Sequence, residues 1–232
     1  MRKSFLLSTL FVLFTFASQA QFGIGFTTGG DLYQHYTNPE SPADSGALRS
    51  AGNVLLNGSF GPKIWIGGDR FSLSIETQFN FGATGFDINE YKGMGMLAFP
   101  IMAHLNFKGN SGFGGKTKFR TGFSVGGGVQ YNRTEFYGTT NKVPTLERKL
   151  FPTYVGELQF GGGSGGVNLA FYTRYGVGYD FDTAEFTGGK SLNIGISSSF
   201  NITALRKGKK SSMNFDNPIE GEEAVEDGQI RQ

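Results

Sequence analysis

Apolar and polar residues alternate with a period of two along most of the chain after its first twenty residues. Phe71, Leu73 and Ile75, for example, fall on one face, and Ser72 and Ser74 fall on the other. A β-strand produces this pattern because successive side chains point to opposite faces of a sheet. The same alternation recurs in residues 22–27, 56–66, 71–82, 97–107, 118–131, 153–160, 167–180 and 192–202. We therefore predict eight strands of roughly 10–14 residues, and about 9–11 residues are enough for a strand to cross a membrane.

The predicted connections alternate between short and long. Glycine-rich turns occupy residues 67–70, 108–116 and 161–166, whereas longer and more polar loops occupy residues 38–52, 83–95, 132–149 and 180–190. Outer-membrane barrels have short periplasmic turns and longer extracellular loops. The sequence therefore predicts an all-β fold, an eight-stranded antiparallel up-and-down transmembrane β-barrel, integral to the cell outer membrane with both termini periplasmic. The alternative, a water-soluble barrel, would place its apolar face inside, and small and charged residues would have to cover the outside.

Aromatic residues are predicted to form two girdles, as expected at the two interfaces of a membrane barrel. Phenylalanines lie near the short-turn ends of the strands. The tyrosines predicted near the long-loop ends are Tyr33, Tyr36, Tyr131, Tyr154, Tyr175 and Tyr179.

Composition narrows the classes of protein further. The chain has 232 residues with 37 Gly and 24 Phe, and only 17% are charged. So many glycines disfavour a helical bundle, because each helical Gly costs about 1 kcal/mol relative to Ala. The absence of Cys excludes disulfides and thiolate metal sites, and two His leave little room for a His-based metal centre. We expect no cofactor and no metal.

Residues 1–20 have the pattern of a signal peptide, with a basic head, an apolar run and small residues at Ser18 and Ala20. An N-terminal membrane anchor is the alternative, but the apolar run is shorter than the ~20 residues that a spanning helix needs. Arg2 and Lys3 account for the whole net charge of +2. The mature chain is therefore neutral, and we expect no nucleic-acid partner.

The inward faces of the strands carry polar and charged residues. Eight strands enclose a lumen just wide enough for side chains to fill, so charges there must pair. The residues predicted to form this lumen network are Lys63, Glu76, His104, Arg120, Glu157 and Arg174, with Lys118 also placed inward. We expect Glu76 and Glu157 to pair with Arg120, Arg174 or Lys63 and the network to plug the barrel. A gated conduit or a ligand pocket is the alternative.

Candidate catalytic chemistry is confined to one place. His35 lies near the outer end of the first strand, and Ser41, Asp44 and Ser45 follow in the next loop. A Ser/His/Asp site requires mutual hydrogen bonds, and we interpret His35 instead as an interfacial polar residue. No catalytic residue is assigned. Residues 161–166 match a G-x-G-x-x-G pattern, but no helix follows to bind a pyrophosphate, so this segment is predicted to be a turn.

The barrel pattern ends near residue 205. Residues 206–232 are first basic and then acidic, with no apolar periodicity, which predicts a disordered periplasmic tail. The predicted organisation is therefore a signal peptide at 1–20, a barrel at 21–205 and a tail at 206–232. Outer-membrane lipid is the expected partner of the barrel. Other envelope or secretion proteins would bind through the outer loops and the tail, and the alternative is a solvated tail that binds nothing.

Three segments carry a family resemblance: residues 21–25 (QFGIG), residues 97–102 (LAFPIM) and the glycine-rich residues 119–128. With these, the chain resembles the small outer-membrane barrels of Bacteroidota known as PorT-like or porin-family barrels. It departs from them in having no acidic residue before Pro100, a long acidic tail, and Ser198 where the last strand usually has an apolar residue. The resemblance implies the fold and the location and transfers no catalytic residue.

These expectations combine into a first functional hypothesis. The chain would be a non-enzymatic barrel, a structural or accessory subunit of an envelope or secretion assembly. A narrow pore for small solutes and a lipid-modifying outer-membrane enzyme are the two alternatives.

Overall fold

A computed structural model describes residues 20–39, 51–82, 84–86, 94–114, 118–137 and 150–205. Several predicted features lie outside these residues. They are residues 1–19 of the predicted signal peptide, the serines and aspartate proposed near His35, and the predicted tail at 206–232.

The described residues form eleven strands, separated by turns and by segments outside the described ranges. They are β1 (Gln21–Thr37), β2 (Ala51–Leu55), β3 (Gly58–Gly67), β4 (Phe71–Thr77), β5 (Phe79–Gly82), β6 (Thr84–Phe86), β7 (Met94–Lys108), β8 (Arg120–Tyr137), β9 (Phe151–Ser164), β10 (Val167–Asp180) and β11 (Glu185–Asn201). A short 3-10 helix, Gly109–Ser111, follows β7, and a single helical turn at 202–205 follows β11.

The eleven strands are segments of eight barrel strands, which we call walls. β2 and β3 together form one wall, β4, β5 and β6 together form another, and each remaining strand is a wall by itself. Every pairing between neighbouring walls is antiparallel. The last strand, β11, pairs with β1 from Gly25↔Asn201 to Thr37↔Lys190, which closes the ring. The predicted eight-stranded antiparallel up-and-down barrel is confirmed.

The barrel has an apolar outside and a polar inside. Asn, Gln, Ser, Thr and charged side chains dominate the buried positions, including Asn106, Gln130 and Asn193. The exposed apolar side chains come from walls all around the barrel and include Phe22, Ile24, Phe60, Ile66, Leu73, Ile75, Ile101, Leu105, Val125, Leu158, Leu169, Phe171 and Ile194. A water-soluble barrel has the reverse arrangement, so the described walls are those of a transmembrane barrel.

No helix in the described part of the chain is long and apolar enough to cross a membrane.

Several of the predicted connections are shorter in the structure than in the sequence-based prediction; for example, β8 runs to Tyr137, into the loop predicted at 132–149. A long loop at 180–190 was expected, but β11 already begins at Glu185, so only residues 181–184 separate β10 from β11. The ladder extends here because Tyr179 pairs with Phe186 and their rings contact edge to face at 5.4 Å. Similarly, β9 runs to Ser164, so the glycine-rich turn predicted at 161–166 is only Gly165 and Gly166.

An irregularity in the first two walls changes which residues face inward. The register of β1 against β11 shifts between Asp31 and Tyr33, and Leu56, which separates β2 from β3, has φ 57°. Beyond the shift, the inward positions of β1 have even numbers instead of odd ones, because one extra residue reverses the alternation. Tyr36 therefore points into the lumen, where it is only 5% exposed. The prediction that Tyr36 belongs to the outer aromatic girdle is wrong.

Candidate functional site: the polar lumen

Two buried ion pairs lie at the centre of the lumen. Lys63 on β3 contacts Glu76 on β4, with Nζ 2.7 Å from Oε2. Arg174 on β10 contacts Glu157 on β9 through both Nε and Nη2, each 2.5 Å from Oε2. All four side chains are at most 5% exposed. Charges so deeply buried are stable only when paired and hydrogen-bonded, and the lumen satisfies both conditions.

Hydrogen bonds extend the Glu157–Arg174 pair across further walls. Gln159 donates to Oε1 of Glu157, and Nε2 of His104 on β7 lies 3.0 Å from the same oxygen. Arg174 also donates from Nη1 to Oε1 of Gln130 on β8, at 3.1 Å. The ion pair at Glu157 is thus tied to β7, β8, β9 and β10, and these polar side chains occupy the space that a channel would need.

His104 reaches Glu157 because a glycine faces it. Gly126 pairs directly with His104 in the β7–β8 ladder, and a Cβ on Gly126 would lie 2.6 Å from Nε2 of His104. A side chain at position 126 would therefore displace the imidazole. The absence of a side chain on β8 makes room for the large one on β7.

A second polar cluster surrounds Asp31, which is buried in β1. Its Oδ1 accepts a hydrogen bond from the hydroxyl of Tyr172 at 2.6 Å, and its Oδ2 accepts from Asn193 at 2.9 Å and from Asn57 at 3.2 Å. Asn57 also donates to Gln34. The Arg174 guanidinium lies 5.4 Å from the centre of the Tyr172 ring, which brings the Asp31 cluster next to the central ion pair.

The short-turn end of the lumen is closed by the connection between β7 and β8. Asn110, Ser111 and Phe113 of this connection are buried. Ser72 donates to the carbonyl of Ser111 at 2.7 Å, and Asn201 donates to the carbonyl of Gly112 at 3.0 Å. The segment therefore folds across the end of the barrel and bonds to walls other than its own.

Trp65 lies against this closing segment. It is fully buried and faces inward. A Cβ on Gly112 would lie 2.8 Å from the Trp65 indole nitrogen, and Gly112 has φ 79°. Position 112 therefore requires glycine for two reasons: the Trp65 ring approaches closely, and the backbone is left-handed.

The other end of the lumen contains a small apolar cluster formed by Tyr36, Val54, Met96 and Ala98. Nearby, the Thr134 hydroxyl donates to Oδ1 of Asn38 at 2.6 Å. The lumen is thus filled by a closing segment at the short-turn end, by ion pairs in the middle and by apolar side chains towards the long-loop end.

Arg120 and Lys118 do not belong to the lumen. Arg120 begins β8, and its side chain is 51% exposed, with Nη1 3.5 Å from Oδ2 of Asp69, which is 57% exposed. Lys118 precedes the strand and is exposed. Lys118 lies before β8, and Arg120 is the first residue of β8 at the end of the barrel, so the walls enclose neither side chain. The lumen prediction for Arg120 and Lys118 is wrong, whereas Lys63, Glu76, His104, Glu157 and Arg174 lie buried in the lumen.

The remaining girdle tyrosines lie outside the lumen. Tyr131, Tyr154 and Tyr175 are exposed, and Tyr33 and Tyr179 are half-buried. Tyr179 packs against Tyr154 with ring centroids 4.8 Å apart. The short-turn ends carry phenylalanine contacts, including the stacked pair Phe26 and Phe200.

His35 interacts with a neighbouring wall. Its Nδ1 lies 2.9 Å from Oδ1 of Asn53 on β2, and the Tyr33 hydroxyl donates to the same oxygen at 2.7 Å. The positions of Ser41, Asp44 and Ser45 lie outside the described residues. In the described part, His35 is a half-buried polar residue bridging two walls.

Three lumen side chains also present metal-ligand atoms close together. The carboxylates of Glu76 and Glu157 and a ring nitrogen of His104 lie within 4.8 Å of one another. However, Lys63 and Arg174 already neutralise the two carboxylates. The chemistry of this group is that of an ion-pair network rather than of an open cation site.

Sequence reasoning missed the Asp31 cluster and the closing segment. An acidic residue inside a strand, Asp31 between Gly30 and Leu32, is a signal that could have indicated a buried carboxylate. Its partners Asn57, Tyr172 and Asn193 come from three other strands, and no local pattern relates them.

The sequence matches no protein-family model, and no curated protein matches it. Solved structures similar to this chain include Neisserial surface protein A, with a TM-score of 0.42 at 9% identity, covering 78% of this chain and 98% of that one. The outer membrane protein OprG from Pseudomonas aeruginosa has a TM-score of 0.38 at 12% identity, covering 78% and 95%. The attachment invasion locus protein Ail of Yersinia pestis has a TM-score of 0.32 at 11% identity, covering 77% and 97%. At these identities no residue role transfers to this chain.

Proposed function

We propose that the chain is a non-enzymatic integral β-barrel of the outer membrane with a lumen plugged by polar side chains. In this proposal it serves as a structural or accessory subunit of an envelope or secretion assembly. The observation that carries the proposal is the combination of an apolar outer surface with a filled, ion-paired interior. An apolar surface on every wall suits lipid, and a filled interior suits a protein that transports nothing through itself.

The proposed orientation places the short turns and both chain ends in the periplasm. Its support is that β1 begins, and β11 ends, at the end of the barrel where the short turns lie. Secretion followed by insertion leaves both ends of an even-stranded barrel on the side from which it entered.

Single-channel conductance in planar bilayers tests the plugged lumen. We expect the wild-type barrel to show no steady conductance, because Glu157, Arg174 and their partners occupy the bore. The variant Glu157→Ala/Arg174→Ala removes the central pair without leaving either charge unpaired, and we expect it to show a steady conductance that the wild type lacks. The matched control, Asp69→Ala/Arg120→Ala, removes the exposed pair on the outside and should behave as wild type.

A steady, large conductance of the wild-type protein would contradict the plugged lumen and favour the narrow pore. If the lumen variant folds and stays closed, the central ion pair is not what blocks the bore. Reconstituted samples of all three proteins should first give the same β-sheet circular dichroism.

The accessory role is tested by partner recovery. The PorT-like resemblance supports a link to protein secretion, and residues 206–232 offer a basic and then an acidic segment for contacts. We expect chemical cross-linking in intact membranes, followed by purification, to recover the same envelope protein repeatedly with the full chain. A chain ending at residue 205 should recover less of it. Recovery of no specific partner with either form would overturn the accessory role. It would not contradict the barrel fold.

A further inference from the structure

A cleft of about 770 Å³ opens on the outside of the barrel at its short-turn end. It lies where β4 and β8 begin and β7 ends. Its rim is formed by Asp69, Arg70, Lys108 and Arg120, and its apolar lining includes Phe107 and Phe123. None of these side chains takes part in the lumen network.

The rim of the cleft is cationic. Arg70, Lys108 and Arg120 are all exposed. Asp69 neutralises Arg120 at 3.5 Å, whereas among the described residues neither Arg70 nor Lys108 forms an ion pair. Two positive charges are therefore left to attract an anion. The backbone holds these two residues together, because the amide of Lys108 donates to the carbonyl of Arg70 at 2.7 Å.

The lining of the cleft is aromatic. Phe107 stacks on Phe123 with ring centroids 4.5 Å apart and contacts Phe71 at 5.4 Å. Phe119, at the mouth, is 65% exposed. These rings face outward from the barrel, on the same surface as the apolar side chains of the walls. The cleft thus joins an apolar surface to a cationic rim at the edge of the barrel.

We propose that this cleft binds one anionic phospholipid, with the phosphate at Arg70 and Lys108 and an acyl chain along the phenylalanines. The inference rests on the proposed membrane location. A guanidinium pairs with phosphate oxygens in a fork of two hydrogen bonds, and an ammonium adds a point charge. Basic pockets at a membrane surface bind lipid headgroups in this way. A free phosphate ion would use the rim and not the aromatic lining, so the two features together select a lipid.

Tryptophan fluorescence quenching by brominated lipids tests the site. A tryptophan is introduced at the mouth by Phe119→Trp, and a control tryptophan by Phe22→Trp. Phe22 is exposed at the same end of the barrel but on β1, and it does not line the cleft. The native Trp65 is fully buried inside the lumen, and its signal is subtracted using the parent protein. Both proteins are reconstituted in phosphatidylcholine vesicles in which about one lipid in ten is brominated. The brominated lipid is either phosphatidylglycerol, which has an anionic headgroup, or phosphatidylcholine, which does not.

We expect brominated phosphatidylglycerol to quench position 119 at least twofold more than brominated phosphatidylcholine does, with no such difference at position 22. Adding Arg70→Gln/Lys108→Gln to Phe119→Trp should abolish the difference. The charge-matched change Arg133→Gln/Lys190→Gln, at exposed basic residues near the opposite end of the barrel, should leave it intact. Added inorganic phosphate should not compete at concentrations that leave the vesicles intact.

Three outcomes would overturn the proposal. Equal quenching of position 119 by both lipids means that the barrel is embedded without a selective site. Competition by inorganic phosphate means that the rim binds a free anion. Selective quenching that appears only after deletion of residues 206–232 means that the acidic tail, not a lipid, occupies the cleft. Failure of the membrane location itself is distinguishable, because then neither tryptophan is quenched by either lipid.

Discussion

At the scale of single residues, the interior of the barrel depends on positions where a glycine on one strand leaves room for a large side chain on the next. The carboxylate of Glu157 forms hydrogen bonds with Arg174, His104 and Gln159. His104 has room for its ring only because Gly126 faces it. A buried polar network is favourable when every member is satisfied and costly when one partner is displaced. The network therefore depends on Gly126 as well as on the side chains that contact Glu157.

Gly126→Ala should destabilise the barrel. The new Cβ would collide with the imidazole of His104, which is fully buried and held by Glu157, so the ring cannot simply move aside. We expect a loss of about 1–3 kcal/mol in the free energy of unfolding, as for other overpacked interiors. The measurement is equilibrium urea unfolding of the protein in lipid vesicles.

The adjacent glycine is a matched control for that change. A Cβ on Gly127 would lie on the other face of β8, with its nearest neighbour, the Val155 carbonyl oxygen, at an ordinary 3.4 Å. Gly127→Ala should therefore change stability by less than about 0.5 kcal/mol, as most surface substitutions do. Equal effects of the two substitutions would show that the cost comes from the glycine-rich backbone and not from displacement of His104.

At the scale of the elements, the step between β2 and β3 decides which side chains face the lumen in the first two walls. Leu56, at φ 57° and 75% exposed, lies opposite Leu32, whose carbonyl accepts from the Leu56 amide at 3.5 Å. Beyond this step Tyr36 and Val54 turn inward and form the apolar cluster of the lumen. The step at Leu56 thus places apolar side chains in a part of the lumen that would otherwise be lined by polar ones.

Leu56→Val should test the strain at this step. A β-branched side chain is disfavoured in the left-handed backbone region, so we expect the substitution to cost about 1 kcal/mol more than the same change elsewhere. The comparison is Leu73→Val, which lies in the extended strand β4 and is also exposed. The free energies of unfolding are measured in lipid vesicles, and identical losses for the two variants would contradict a strained step at Leu56.

At the scale of the whole molecule, closure of the barrel removes the open edges that an isolated sheet would have. The pairing of β1 with β11 joins residues more than 150 positions apart, for example Thr28 with Ser198. In a membrane every backbone amide and carbonyl must find a partner, and only closure provides partners for the first and last strands.

A disulfide can report this closure directly, because the chain has no native Cys. Thr28 and Ser198 are direct partners across the β1–β11 seam, and opposed residues in antiparallel strands lie within the Cα separation that a disulfide spans. We expect Thr28→Cys/Ser198→Cys to cross-link on oxidation in membranes. The denatured, unreduced chain should then migrate faster in electrophoresis, because the disulfide makes it a covalent loop.

The control for closure keeps one cysteine and moves the other. Thr121 is exposed on β8, which is not a neighbour of β1. Thr28→Cys/Thr121→Cys should therefore give no loop within one molecule. Cross-links only between molecules, or none at the seam, would be incompatible with a barrel closed by β1 and β11.

The alternation of apolar and polar residues determined the number of walls, their order and the facing of most side chains. This information is local, since each strand carries its own period of two whatever its neighbours are. For the same reason, the central lumen residues Lys63, Glu76, His104, Glu157 and Arg174 could be placed inward from the sequence alone. Glycine clusters also indicated where the short turns lie, but the cluster at 161–166 continues β9 to Ser164, and only Gly165 and Gly166 form the turn.

Only the tertiary structure decided the rest, because it depends on register between strands that are distant in sequence. The step at Asp31 and Leu56 turned Tyr36 inward, and the true start of β8 left Arg120 outside. The start of β11 at Glu185 follows from pairing with β10 rather than from its own polar sequence. The partners of Asp31 and the folding of the β7–β8 connection across the lumen likewise arise from walls that meet only when the barrel closes.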